Sequence, residues 1–240
     1  MDRPLGLILI WLSFLLLPVS ARTARCEDSI PAPAIQRTPP RLVLDPGHGG
    51  SDPGAHGRGR AEKDAALAVA EAVAKRLEAR GIVVFLTRDR DQALSEPLRA
   101  AFANYREADL YLALHFSGEP RVQARGFEVF VAPPPPSGLE PQRWEAGQAR
   151  VWKQSRAWAE AVRRRLGEVA STFDRGEGIL PHPALEAVTC PAALVELGSL
   201  AWPDEAEWWR SPAGAEALSR ALAAAVADVT GWKSPQTDDR

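Results

Sequence analysis

Apolar positions along the chain change their period several times, and the changes mark out alternating strands and helices. Leu42-Val43-Leu44 is a short continuous apolar run ended by a glycine-rich turn, the pattern of a buried strand. Residues 62–80 carry Leu67, Ala70, Ala74 and Leu77 at helical spacing, and Gly81 stops that helix. Ile82–Leu86 is apolar and rich in β-branched residues, which predicts a second core strand. Ser95 stands where an N-cap belongs for a helix running to about Arg106. Leu110–Leu114 and Phe127–Ala132 read as the third and fourth strands. A polyproline run, Pro133–Pro136, then opens an exposed connection reaching residue 150. Trp158, Ala161, Val162 and Leu166 give residues 151–170 a helical face, Ala193–Leu197 is a last buried strand, and residues 213–230 form an Ala-rich closing helix. Strands alternating with helices predict one α/β domain over residues 41–231, a twisted sheet with helices on both faces.

The two ends of the chain follow different rules. Arg3 precedes an uncharged apolar run, Leu5–Val19, and Val19-Ser20-Ala21 fits the small-residue pattern of a signal peptidase site. A spanning helix needs about 20 apolar residues, so a cleaved signal over residues 1–21 is favoured and no permanent membrane anchor is expected. Arg25 before Cys26 is at odds with a lipoprotein. Residues 22–40 are polar and Pro-rich, the composition of a linker, and residues 232–240 read as a disordered polar tail. The sequence predicts a periplasmic or secreted protein, in which Cys26 and Cys190 have the opportunity to pair but nothing that requires it.

Composition narrows the chemistry. With 29 Lys+Arg against 31 Asp+Glu the formal charge is −2, so no basic surface calls for nucleic acid. Two cysteines exclude a disulfide framework and a Cys-rich structural zinc site, leaving histidine and carboxylate as metal ligands. Of the four histidines, His48 lies in LDPGHGGSDPGA at the carboxyl end of the first strand, and His115 in LALHFS at the carboxyl end of the third. Glu62 opens the helix between them. In open α/β sheets ligands gather outside the carboxyl ends of the strands. Two imidazoles and a carboxylate with an open fourth position make the donor set of a catalytic zinc. Glu196, in AALVELGSL, is a carboxylate at another strand end, suited to take a proton from water and pass it to a leaving nitrogen.

Seven segments occur in order: DPGHGGSDPGA, EKD, LTRDRD, LRAAFAN, ADLYLALH, GFEVF and PAALVELG. Together they resemble the zinc-dependent N-acetylmuramoyl-L-alanine amidases of the Amidase_3 class, from about Arg41 to Asp228. The resemblance implies a mixed six-stranded sheet, one zinc ion on His48, Glu62 and His115, and Glu196 as the catalytic carboxylate. The implied reaction cleaves peptidoglycan between the lactyl group of N-acetylmuramic acid and the L-alanine of the stem peptide. A zinc peptidase cutting within that peptide and a non-catalytic peptidoglycan-binding module are the competing readings. Phe116-Ser117 and Ser199–Trp202 depart from the family pattern, which touches substrate contacts more than metal binding. An inhibitory helix, found in some relatives, has room here only in residues 133–150, where prolines disfavour it.

Other residues carry weaker expectations. Asp45 is placed to orient the turn or a ligand imidazole. Arg99 and Asn104 match the family pattern, with the pinning of loops as their ordinary role. His182, between two prolines, is a candidate for the rim of the site, and His56 is expected to be solvated or to face substrate. Core packing is the favoured role for Trp202, Trp208 and Trp209, and a solvated helix face for Arg163–Arg165. Any activator protein is left unidentified by the sequence.

Overall fold

The computed structural model describes residues 39–57, 59–118, 120–135, 146–170 and 173–233. The leader, most of the linker with Cys26, Trp144 and the last seven residues lie outside these. In chain order come β1 (Arg41–Pro46), the short strands β2 (His56–Gly57) and β3 (Arg60–Ala61), α1 (Glu62–Glu78), β4 (Val83–Leu86), α2 (Glu96–Tyr105) and β5 (Leu110–Ser117). Then follow β6 (Phe127–Val131), α3 (Ala146–Val169), β7 (Asp174–Ile179), α4 (Pro183–Ala187), β8 (Ala192–Ser199), α5 (Pro203–Arg210) and α6 (Pro212–Thr230). The main sheet runs β4-β1-β5-β8-β6-β7. It is mixed, because β6 lies antiparallel to β8 while the remaining pairs are parallel.

Alternation of side chains gives this sheet two unlike faces. Leu42, Leu44, Leu112, Leu114, Val129, Val195 and Leu197 point to one side and pack with residues of α1, α3 and α6. Trp158 of α3 is fully buried there, and its indole N–H donates to the Tyr111 carbonyl at 3.0 Å. Val43, Tyr111, Ala113, Ala192 and Leu194 point the other way, beneath Ala100 and Ala103 of α2 and Ala184 and Leu185 of α4. The small helix residues allow close approach. Toward the carboxyl ends of β1, β5 and β8, that second face turns polar, with Asp45, His115 and Glu196 in place of aliphatic residues. Both faces being covered explains why the central strands read as unbroken apolar runs.

Several elements depart from the expectation. β7 was hidden because DRGEGI is polar and glycine-containing, as suits an edge strand with one side open. The third long helix starts at Ala146 rather than 151. Helices α4 and α5 are each eight residues or fewer, too short for a period to register. Ser95 occupies the N-cap of α2 without a side-chain capping bond, and Pro97 in the first turn helps fix the entry. Among the described residues, no helix is long and apolar enough to cross a membrane.

Candidate metal centre

Three side chains from three separate segments converge at the carboxyl end of the sheet. One candidate ligand atom each from His48, Glu62 and His115 lies within 4.8 Å of the others. His48 sits in the loop after β1 with φ of 60°, a left-handed conformation uncommon for a residue with a side chain. Glycines on either side make the arrangement sterically feasible. A Cβ at Gly47 would lie 2.3 Å from the His115 ring, and one at Gly54 would lie 2.5 Å from the His48 ring and 2.7 Å from Glu62 Oε2. The glycine-rich motif therefore lets two imidazoles and a carboxylate share one small space.

Glu62 is the hub. Its Oε2 lies 3.0 Å from His48 Nε2, and its Oε1 lies 2.9 Å from His115 Nδ1. The Ala55 and Phe116 backbone N–H groups donate to the same carboxylate at 2.8 and 2.9 Å. Phe116, 2% exposed, thus holds Glu62 through its backbone while its ring packs into the core, and Phe at this position leaves the His48, Glu62 and His115 cluster intact. Burial works against the Glu62 charge, yet hydrogen bonds with His115 and His48 outweigh it and hold the carboxyl below its ordinary range. In return, the Glu62 hydrogen bond, aided by Asp52, pushes His48 up to about 9. Two imidazole nitrogens and one carboxylate oxygen, converging and backed by further hydrogen bonds, fit a zinc ion in ligand type and number.

The carboxylate that backs the His48 ring is Asp52, whose Oδ2 lies 2.7 Å from His48 Nδ1. Asp45 instead belongs to a buried network one layer below. It is 1% exposed and accepts hydrogen bonds from Thr87, Tyr111 and Arg99, the last at 2.6 Å. Arg99 also donates to the carbonyls of Pro46 at 3.0 Å and His48 at 2.7 Å, so Asp45 reaches the turn through it. Arg88, unremarked in the sequence, is 2% exposed and donates to Pro46 at 2.9 Å, Gly47 at 2.7 Å and Lys63 at 2.8 Å. It ties the His48 loop to the start of α1 beside Glu62. Asp52 was legible only as a carboxylate four residues from His48 in the same loop, and Arg88 only as a charged residue at the end of an apolar strand.

Glu196 is a cross-strand neighbour of His115 on β5 and of Glu128 on β6. Burial pushes the Glu196 carboxyl above its ordinary range, and the Arg175 guanidinium draws it partly back. The His182 ring meets the edge of His115 at 6.1 Å between centroids. Asn104 lies away from these groups, bonded to the Ala187 carbonyl at 3.1 Å and accepting from the Thr189 N–H at 2.8 Å, so it pins the loop before β8. His56 is exposed on β2. Trp209 is wholly buried, whereas Trp202 stands at the start of α5 with the Arg125 guanidinium 4.8 Å above its ring. Arg163, Arg164 and Arg165 are not merely solvated, since they pair with Asp174 and Asp228 at 2.6–2.9 Å.

Burial lowers His182 to about 4, against an ordinary 6.5. The fold therefore favours the neutral ring: its stabilising contribution is complete above pH 6.5 and is lost as pH falls toward 4. Melting temperatures measured from pH 7 to pH 4 are expected to fall less steeply for His182→Gln than for the native chain. Parallel slopes would refute this.

Comparison with known proteins gives a consistent result. A family described as N-acetylmuramoyl-L-alanine amidase matches residues 42–228. The germination-specific N-acetylmuramoyl-L-alanine amidase of Bacillus subtilis is 31% identical over 179 residues, 69% of this chain and 69% of its own. The sporulation-specific enzyme of the same organism is 29% identical over 182 residues, 75% of this chain and 64% of its own. The crystal structure of an N-acetylmuramoyl-L-alanine amidase from Clostridium difficile 630 matches with a TM-score of 0.67 and 25% identity, covering 82% of this chain and all of that one.

Proposed function

Because the chain belongs to the N-acetylmuramoyl-L-alanine amidase family and is an amidase acting on peptidoglycan, we propose that His48, Glu62 and His115 hold one zinc ion and that Glu196 carries the proton in hydrolysis. The observation that supports the ligand set is the convergence of three donor atoms within 4.8 Å, on a carboxylate that both imidazoles share. When bound there, zinc supplies a Lewis acid that polarises the amide carbonyl and makes water a better nucleophile.

The chain's own residues supply the rest. Asp52 and Glu62 fix the His48 ring between them, and Gly47 leaves room for the His115 ring against the loop. Glu196, beside His115 on the adjoining strand, accepts a proton from the attacking water and delivers it to the departing alanine nitrogen. The bond that breaks joins the lactyl carbonyl carbon to that nitrogen, and water supplies the new C–O bond. We also propose that the enzyme works outside the cytoplasm, which the leader pattern of residues 1–21 and a substrate in the cell wall both favour.

Digestion of purified sacculi, with products identified by mass spectrometry, tests the reaction and its metal together. Free stem peptides beginning at L-alanine are expected, and a chelator is expected to suppress them until zinc is restored. Cleavage within the stem peptide would point to a zinc peptidase instead. Binding to sacculi without any product at saturating zinc would overturn the enzymatic reading.

A further inference from the structure

The row of polar groups on the second sheet face does not stop at Glu196. His115, Glu196 and Glu128 are in register across β5, β8 and β6, so their side chains leave the same face. Two carboxylates as cross-strand neighbours repel unless a cation joins them. Arg175 of β7 is that cation, with Nη2 at 2.5 Å from Glu128 Oε2 and Nη1 at 3.4 Å from Glu196 Oε2. Nη1 also lies 3.3 Å from the Ala124 carbonyl, which anchors the guanidinium to the segment before β6. The three charged side chains are each 20–28% exposed, so water screens them only in part.

A local irregularity in β7 places Arg175 there. Phe127 pairs with Asp174 and Val129 with Glu177, so three steps on β7 oppose two on β6. The extra residue is a β-bulge, an infrequent feature in a parallel pair and one that re-aims side chains. Gly176 has φ of 105°, which residues with a Cβ rarely adopt, and a Cβ there would meet nothing within 4 Å. Glycine is therefore required by the backbone and not by crowding. The Gly176 N–H closes the bulge on Asp174 Oδ1 at 2.9 Å.

We propose that Arg175, aimed by the Gly176 bulge and braced by Glu128, is a positioning residue that holds the Glu196 carboxylate toward the metal-ligand cluster. The inference rests on Glu196 being the proton carrier. Without the guanidinium, Glu196 and Glu128 would turn away from each other, and the carboxylate would lose the orientation the reaction needs. Misplacement by about 1 Å costs up to about 100-fold in rate. Lysine retains the charge but lacks the planar fork that reaches two carboxylates at once.

The test uses the full chain loaded with zinc, on soluble disaccharide-peptide fragments of peptidoglycan. Arg175→Gln is expected to lower kcat by roughly 10- to 100-fold with KM and zinc content unchanged. Arg175→Lys is expected to recover part of the loss, and Gly176→Val to reproduce part of it with Arg175 in place. Placed in a Glu196→Gln background, Arg175→Gln is expected to cost nothing further, because the group it positions is gone. Losses that multiply in the double variant, or a raised KM, would make Arg175 a substrate contact and overturn the proposal. Native kcat in Arg175→Gln beside an inactive Glu196→Gln would overturn it too while leaving the role of Glu196 standing. Full activity in Glu196→Gln would remove the premise itself. Melting curves separate these outcomes from a misfolded chain, and should Arg175→Gln fail to fold, Arg175→Lys and Gly176→Val carry the kcat comparison.

Discussion

Replacing Glu196 by glutamine is expected to lower amide hydrolysis by about 10²- to 10⁴-fold, the range a positioned acid–base group contributes, while zinc content stays at the native level. The substitution preserves volume and leaves an oxygen to accept from Arg175, so the row of side chains across β5, β8 and β6 keeps its shape. It removes the charge and, with it, the capacity to take up and return a proton. Stability should hold or rise slightly, because burial works against the Glu196 charge in the native chain and the amide has none to desolvate. His115→Ala is the contrasting variant, expected to lose activity and zinc together, since it deletes one of the three proposed donors. Metal analysis, product assay and thermal melts on both proteins decide the matter. Retained hydrolysis in Glu196→Gln would remove it from the chemistry, and loss of zinc would make it a ligand.

Much of this site could be read before any coordinates, for an identifiable reason. Chemically active side chains at strand ends leave local marks: an apolar run, then glycines or a helix start, then a histidine or glutamate. His48, Glu62, His115 and Glu196 all carry such marks, and the parallel order of β1, β5 and β8 brings three of them to one edge. The groups that hold them in place leave none. Asp52, Arg88 and Arg175 are charged residues in charged or glycine-rich surroundings, and their roles arise from contacts 4, 41 and 21 positions away in the chain. β7 was missed for the same reason that Arg175 was. An edge strand with a bulge obeys neither the alternation nor the apolar continuity by which strands are recognised. Asp45 divides the expectation. Of its two expected roles, orienting the turn or a ligand imidazole, it reaches the turn through Arg99, while its side chain leaves the strand toward Tyr111 and Arg99, beneath α2, and not toward an imidazole.

That buried network makes the second large prediction. Asp45→Ala is expected to destabilise the protein by about 3–5 kcal/mol, the cost of taking the closest partner from a buried charge, because the part-exposed Glu96 carboxylate left to Arg99 lies farther off, at 3.4 Å. Arg99 is 2% exposed at its side chain and meets Asp45 at 2.6 Å, so water cannot replace the lost carboxylate without opening the layer under α2. The Tyr111 hydroxyl, in a wholly buried side chain, loses its acceptor in the same stroke. For a chain of this size each kcal/mol corresponds to roughly 2–4 °C, so the melting temperature should fall by about 6–20 °C. The damage should reach the metal centre as well. Arg99 holds the carbonyl of His48, a residue kept at a φ of 60° by its surroundings, and an Arg99 released from Asp45 no longer anchors that loop. Zinc should therefore bind more weakly, although neither Asp45 nor Arg99 supplies a donor. Asp45→Leu combined with Arg99→Met distinguishes the two effects. Removing both charges relieves the poorly compensated cation and should restore part of the melting temperature, but it cannot restore the hydrogen bond to His48 and should leave zinc binding weak. A double variant no more stable than Asp45→Ala would mean that the ion pair is not what the layer depends on. One that regained full zinc affinity would mean that the loop holds its strained turn unaided.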